Sequence, residues 1–126
     1  VPFDAAATAT NQLLYNLARR GIEWDLLPWL RERRVPVMAY SPLEQARLLT
    51  QKPLAAFARR YGMAPAQAAL AWLLGNDDVI AIPKTSSRAR VGEFAAACEI
   101  GLTAAQRAEL DRLYPPPSGP RPLEML

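Results

Sequence analysis

The sequence predicts an α/β fold built on a parallel sheet, and three observations carry that prediction. The clearest strand candidates, VPVMAY (35–40) and VIAI (79–82), are continuously apolar. Strands of that kind are covered on both faces, as in parallel sheets between layers of helix. Strand and helix patterns alternate in the order β, α, β, α, α, β, α, α, the sign of β/α units rather than of hairpins. Length completes the argument. Three such units occupy about the first 115 of 126 residues, whereas a closed (β/α)8 barrel takes about 250. The expected architecture is therefore half of a (β/α)8 TIM barrel, about three parallel strands with covering helices. No G-x-G-x-x-G turn follows any strand, which disfavours a Rossmann unit.

Each element has a local reason. Residues 1–7 (VPFDAAA) read as a lead-in, and TATNQLLY (8–15) as a short first strand. Gly21 breaks the chain. Asp25 is a good N-cap residue, and Pro28 falls in the first turn of the helix it opens, where a missing N–H costs little. Leu26, Leu27, Trp29 and Leu30 give that helix an apolar face. Arg31 to Arg34 lie toward its C-terminal end, where cations suit the helix dipole. Pro36 is tolerated near the start of the second strand, and Ser41-Pro42 ends it.

A helix follows over 53–61 with Leu54, Phe57, Ala58 and Tyr61 on one side, and Gly62 closes it. PAQAALAWLL (65–74) is apolar almost all round and so predicts a buried helix. Gly75 to Asp78 is a turn before the third strand, which Pro83 ends. Ser86 and Ser87 can cap a helix from Arg88 to about Ala97, with Val91, Phe94 and Ala95 inward. Thr103 to Gln106 is a capping-box pattern ahead of a helix carrying Leu110 and Leu113. Five of the last twelve residues are proline, so 115–126 cannot be helix and is expected to be extended or loosely docked. The domain division is 1–114 for the partial barrel and 115–126 for the Pro-rich tail.

Composition removes whole reaction classes. There is no histidine, so no imidazole acid/base, His-based triad or His-ligated metal arises within these residues. One cysteine, Cys98, excludes an internal disulfide and a Cys-only metal cluster; no metal site is expected. The net charge of +3 is spread along the chain, with no aromatic residues interleaved among the Arg pairs. A nucleic-acid partner is therefore not expected, and the pairs 19–20, 33–34 and 59–60 read as solvated helix ends and turns. No apolar run reaches the roughly 18 residues of a membrane span, and no signal peptide is visible, so the expected location is cytoplasmic. The chain opens on Val1 rather than Met, which fits a piece of something longer.

In a (β/α)8 barrel the chemistry lies at the C-terminal ends of the strands. Those ends carry Gln12, then Tyr40-Ser41-Pro42-Leu43, then Pro83-Lys84-Thr85-Ser86. Gln12 can both donate to and accept from another amide. Tyr40 offers a flat face to a planar ligand. Lys84, Thr85 and Ser86 precede a helix N-terminus, which favours an anion. Arg88 and Arg90 would oppose the dipole there, as cations do where something negative offsets them. Each residue also has a plainer reading: Tyr40 as core or rim, Lys84 as solvated, and Ser86 and Ser87 as caps.

Four blocks, NQLLYNLARRGIEWDLLPWL, VPVMAYSPL, PAQAALAWLL and VIAIPKTSSRARVGEF, stand in this order between about Thr10 and Tyr114. Together they resemble the C-terminal half of the aldo/keto reductases, (β/α)8 barrels that bind NADP(H) and reduce aldehydes and ketones. The resemblance implies that Gln12 meets the nicotinamide carboxamide and that Tyr40 stacks on the ring. It places Ser41 and Leu43 along the pyrophosphate, Lys84 and Thr85 at the adenosine ribose and its 2′-phosphate, Arg90 on that phosphate, and Glu93 at the adenine. Arg suits phosphate because its planar fork binds two oxygens at once.

The sequence departs from the family pattern at Glu44 and Ala46, where glycine is usual, and at Phe94, where an Asn often reads adenine. Ala46 resists a positive φ, and an inward Glu44 would set a negative charge near phosphates. The family's catalytic Asp, Tyr, Lys and His belong to the other half of the barrel, and none maps here. The resemblance thus implies a small carbonyl substrate, no catalytic residue within the chain, and either an N-terminal half-barrel or self-association to cover the open edges. The competing reading is a non-enzymatic half-barrel that serves assembly or regulation.

Overall fold

The structure, a computed structural model, describes residues 8–126; the lead-in read at 1–7 lies outside the described residues. Three strands, β1 (Asn11–Leu14), β2 (Val37–Tyr40) and β3 (Val79–Ala81), form one sheet in the order β1-β2-β3. Both pairings are parallel, with Leu14 opposite Tyr40 and Met38 opposite Ile80. The helices are α1 (Leu26–Glu32), α2 (Lys52–Arg60), α3 (Pro65–Leu74), α4 (Arg88–Ala96) and α5 (Ala104–Leu113). The predicted α/β class and element order are those observed. Each strand is shorter than its apolar run, because residues beyond the paired register leave the ladder.

Side chains alternate across a strand, so the sheet has two unlike faces. Leu13, Val37, Ala39 and Val79 are buried and join one apolar core with the helices. Helix α3 is the centre of that core: Ala66 and every residue from Ala68 to Leu73 are buried. The other face carries Gln12, Met38 and Ile80, and Ile80 is 46% exposed.

The predicted start signals operate. The Asp25 carboxylate accepts from the Leu26 N–H, and Ser87 and Thr103 accept from the N–H groups of Arg90 and Gln106. Arg31 grips Asp78 with two nitrogens, at 2.6 and 3.1 Å, tying α1 to the turn before β3. That hydrogen bond, and the guanidinium charge behind it, hold the Asp78 carboxyl below its ordinary range.

Several inward assignments are corrected. In α4 only Phe94 is buried, while Val91 is 57% exposed; one layer of core contacts is enough for a helix lying on the rim. Trp29 lies outside, its ring covered by the Arg33 guanidinium at 4.0 Å. Tyr61 turns its hydroxyl to Glu109, and Leu113 is exposed while Leu110 is buried. Of the pair 19–20, Arg19 keeps a partly exposed side chain, whereas Arg20 is not solvated. Arg20 is held by Glu23, Asp111 and the Tyr114 carbonyl, and its guanidinium stacks on Trp72 at 4.9 Å. Among the described residues no helix is long and apolar enough to cross a membrane.

Candidate functional site

Beyond the C-terminal ends of β2 and β3 lies a cleft of about 410 Å³. Four of the residues singled out in the sequence line it: Ser41, Leu43, Lys84 and Arg90. The parallel pairing of β2 with β3 sets the Ser41 and Lys84 segments side by side, and the first turn of α4 brings Arg90 to the same opening. Gln45, Ala46, Leu49, Ile82 and Phe94 complete the apolar and amide parts of the wall.

The other four lie outside this lining. Gln12 and Tyr40 stand on the exposed face of the sheet. Gln12 is the second residue of β1, opposite Met38, and not at the strand's C-terminal end as expected, because β1 runs on to Leu14. The Tyr40 hydroxyl accepts the Leu126 N–H at 3.4 Å. The Thr85 hydroxyl is committed locally, accepting the Ser87 N–H at 3.1 Å. Glu93 is anchored by its backbone carbonyl, which accepts from Gln67 at 3.3 Å.

The electrostatics of the cleft follow from what is paired and what is not. Among the described residues Lys84, Arg88 and Arg90 form no ion pair. Two of these, Lys84 and Arg90, line the cleft, whereas Arg88 lies outside its lining, and Arg88 and Arg90 in the first turn of α4 oppose its dipole. Glu44 does not neutralise them. Its carboxylate is buried away from the lining, accepting from Asn16 at 2.8 Å and from two nitrogens of Arg19 at 2.9 Å. Burial pushes the Glu44 carboxyl up, but these hydrogen bonds and the charges of Arg19 and Arg47 outweigh it, and the net shift is downward. The charge stays, and it points away.

Ala46 corrects the other expectation drawn from this loop. It adopts φ +69°, beside Gln45 at +53° and Glu44 at +52°. The glycine-like path is kept without glycine. Asn16 and Arg19, which hold this loop, are missed by sequence reasoning. Asn16 lies just past the C-terminal end of β1, and that position is the signal that could have found it, whereas Arg19 carries none. The turn that presents them is fixed by Asn16, whose side-chain oxygen accepts the N–H groups of Ala18 and Arg19.

The tail is docked rather than loose. Glu124 pairs with Arg19 at 3.1 Å, and Arg121 to Glu124 cover Leu14 and Gly21 over a cavity of about 50 Å³. It contains no helix, as its prolines require.

Three consecutive β/α units on a parallel sheet, with Lys84 and Arg90 at the strand-end cleft, make up part of a (β/α)8 barrel. Residues 4–115 match the aldo/keto reductase family, and the chain belongs to that family. It is 45% identical over 123 residues to methylglyoxal reductase YeaE of Escherichia coli, covering 94% of this chain and 43% of that protein. An aldo-keto reductase of Klebsiella pneumoniae, solved in complex with NADPH, superposes with a TM-score of 0.89 at 47% identity. The match covers 94% of this chain and 43% of that one. The thermostable aldo-keto reductase Tm1743, solved with the inhibitor epalrestat, gives a TM-score of 0.73 at 37% identity over 81% of this chain and 38% of its own. The chain therefore spans less than half the length of these relatives.

Proposed function

We propose that this chain is the cofactor-binding, C-terminal part of an NADPH-dependent reductase that converts small aldehydes and ketones to alcohols. The observation that carries the reading is the cleft lined by Ser41, Leu43, Lys84 and Arg90, with its unpaired cations. Methylglyoxal, named for the E. coli relative, sets the size class of substrate. The cleft fits the phosphate-bearing end of a dinucleotide: cations at the lip, apolar wall within, and the Glu44 carboxylate turned out. NADPH supplies a hydride when bound.

The roles of the chain's own residues follow. Arg90 and Lys84 hold the 2′-phosphate, and Thr85 lies beside the ribose. Ser41 and Leu43 line the pyrophosphate. Gln12 orients the carboxamide, and Tyr40 presents its ring to the nicotinamide. Glu93 hydrogen-bonds the adenine region. Phe94 packs apolar surface against the adenine where an amide would have read it. The proton for the carbonyl oxygen comes from outside this chain, from the remaining β/α units, which also cover the exposed sheet face. On this reading the chain alone does not reduce carbonyls.

Arg90→Ala tests the reading. Charge-assisted hydrogen bonds contribute about 1.5–3 kcal/mol, so NADPH affinity should fall roughly 10- to 100-fold. NADH affinity should hardly move, because NADH lacks the 2′-phosphate. Equal effects on both cofactors would remove Arg90 from the phosphate site.

A further inference from the structure

Glu44, Gln45 and Ala46 form three successive left-handed residues, none of them glycine. Each such residue costs roughly 1–2 kcal/mol of backbone strain, so a conformation held at three in a row needs an external restraint. Glu44 supplies it. Its buried carboxylate accepts from Asn16 and Arg19, with Arg47 at 3.4 Å. Asn16 also donates to the Ser41 carbonyl at 2.9 Å, fixing the start of the same loop.

Arg19 is the branch point. Nε and Nη2 reach Glu44, while Nη1 reaches Glu124 in the tail at 3.1 Å. One guanidinium thus joins the loop that lines the cleft to the segment lying across the strand ends. The tail's far end meets Tyr40 through the Leu126 N–H.

We propose that Glu44 and Arg19 are a positioning pair that couples the shape of the cleft loop to the docked position of the tail, so that nucleotide in the cleft and tail over the strand ends favour one another. The inference rests on the NADPH reading of the cleft. Coupling between sites is reciprocal: whatever steadies the tail tightens the nucleotide, and the nucleotide steadies the tail.

The test uses the protein as expressed from its own gene, with Glu44→Gln and Glu124→Gln. The measurements are NADPH affinity by fluorescence titration and amide hydrogen exchange over 118–126. Without ligand, both variants should exchange faster over 118–126 while exchange in α3 stays unchanged. NADPH should slow tail exchange in the unmodified protein but not in Glu124→Gln. The NADPH Kd should rise about tenfold in Glu44→Gln and about fivefold in Glu124→Gln, within the usual range of coupling energies. Glu124→Gln lies on the surface and keeps the test open should Glu44→Gln fold poorly. Unchanged Kd and unchanged tail exchange, in a protein that binds NADPH, would overturn the coupling. Failure of the unmodified protein to bind NADPH would overturn the cofactor reading and the nucleotide arm of the inference. Tail exchange in unliganded Glu44→Gln would then decide the mechanical link alone.

Discussion

At the scale of single residues, the arginines separate by burial. The Arg20 side chain is 10% exposed and serves Glu23, Asp111, the Tyr114 carbonyl and the Trp72 ring together. Removing it leaves Glu23 partly buried beside the Tyr15 hydroxyl, which donates to it at 2.7 Å. Burial, followed by the Glu23 charge and hydrogen bond, already pushes the Tyr15 hydroxyl far up. Arg20→Ala should therefore cost about 2–4 kcal/mol, approaching the figure for breaking a buried pair. Arg60 meets Glu109 at 2.6 Å with its side chain 63% exposed, and Arg60→Ala should cost under about 1 kcal/mol. Urea midpoints of the two variants, at equal m, measure the difference.

Glu44 adds an acid limit. Its carboxyl titrates below its ordinary value of 4.5 in the folded chain. A depressed carboxyl contributes stability that is complete above the unfolded value and lost as pH falls through the folded one. Urea midpoints should thus drop as pH falls below the ordinary carboxylate range, and Glu44→Gln should flatten part of that drop. An equally steep drop in the variant would assign the acid sensitivity to other carboxyls, Asp78 first.

Among elements, two glycines with open space at Cβ, one inside a helix and one just past a helix end, should respond in opposite directions. Gly92 lies inside α4, and a Cβ there would meet nothing within 4 Å. Alanine lowers the entropy of the unfolded chain and suits the helix, so Gly92→Ala should stabilise by about 0.5–1 kcal/mol. Gly62 follows α2 at φ +68°, where a side chain strains the backbone. Gly62→Ala should destabilise by about 1 kcal/mol although its Cβ also meets open space. Thermal midpoints should move a few degrees in opposite directions.

The elements themselves were legible because their signals are local: Asp25, Ser87 and Thr103 cap from their own side chains. Their inward faces were less so. Val91 and Leu113 are apolar in sequence yet exposed, since helical periodicity names a stripe but not what lies opposite it. The candidate site divides the same way. Ser41, Leu43, Lys84 and Arg90 converge because strand ends converge in a parallel sheet. The Glu44–Arg19–Glu124 links join residues 25 and 105 positions apart, which no local pattern encodes.

For the whole molecule, the sheet decides how the chain behaves in solution. Three strands leave β1 and β3 each with an unpaired edge among the described residues. Ile80 at 46% and Ile82 at 37% exposure sit beside one of them. An unpaired parallel edge next to exposed branched apolar side chains is a template for another strand. The tail covers Leu14 at the β1 end but leaves the β3 side open. Prepared alone, the chain should therefore associate through β3 in a concentration-dependent way, measurable by sedimentation velocity from about 5 to 200 μM, a range set by micromolar contacts. Ile80→Lys should shift it toward monomer without changing the far-ultraviolet signal of its helices, because that side chain already stands on the open face of the sheet. Supplying the remaining β/α units in a second chain should suppress self-association by occupying the same edge and, on the function proposed above, should be the only arrangement in which NADPH consumption with methylglyoxal appears. A chain that stays monomeric across that range, or that reduces methylglyoxal unaided, would show that three β/α units close their sheet by some other means than a completed barrel.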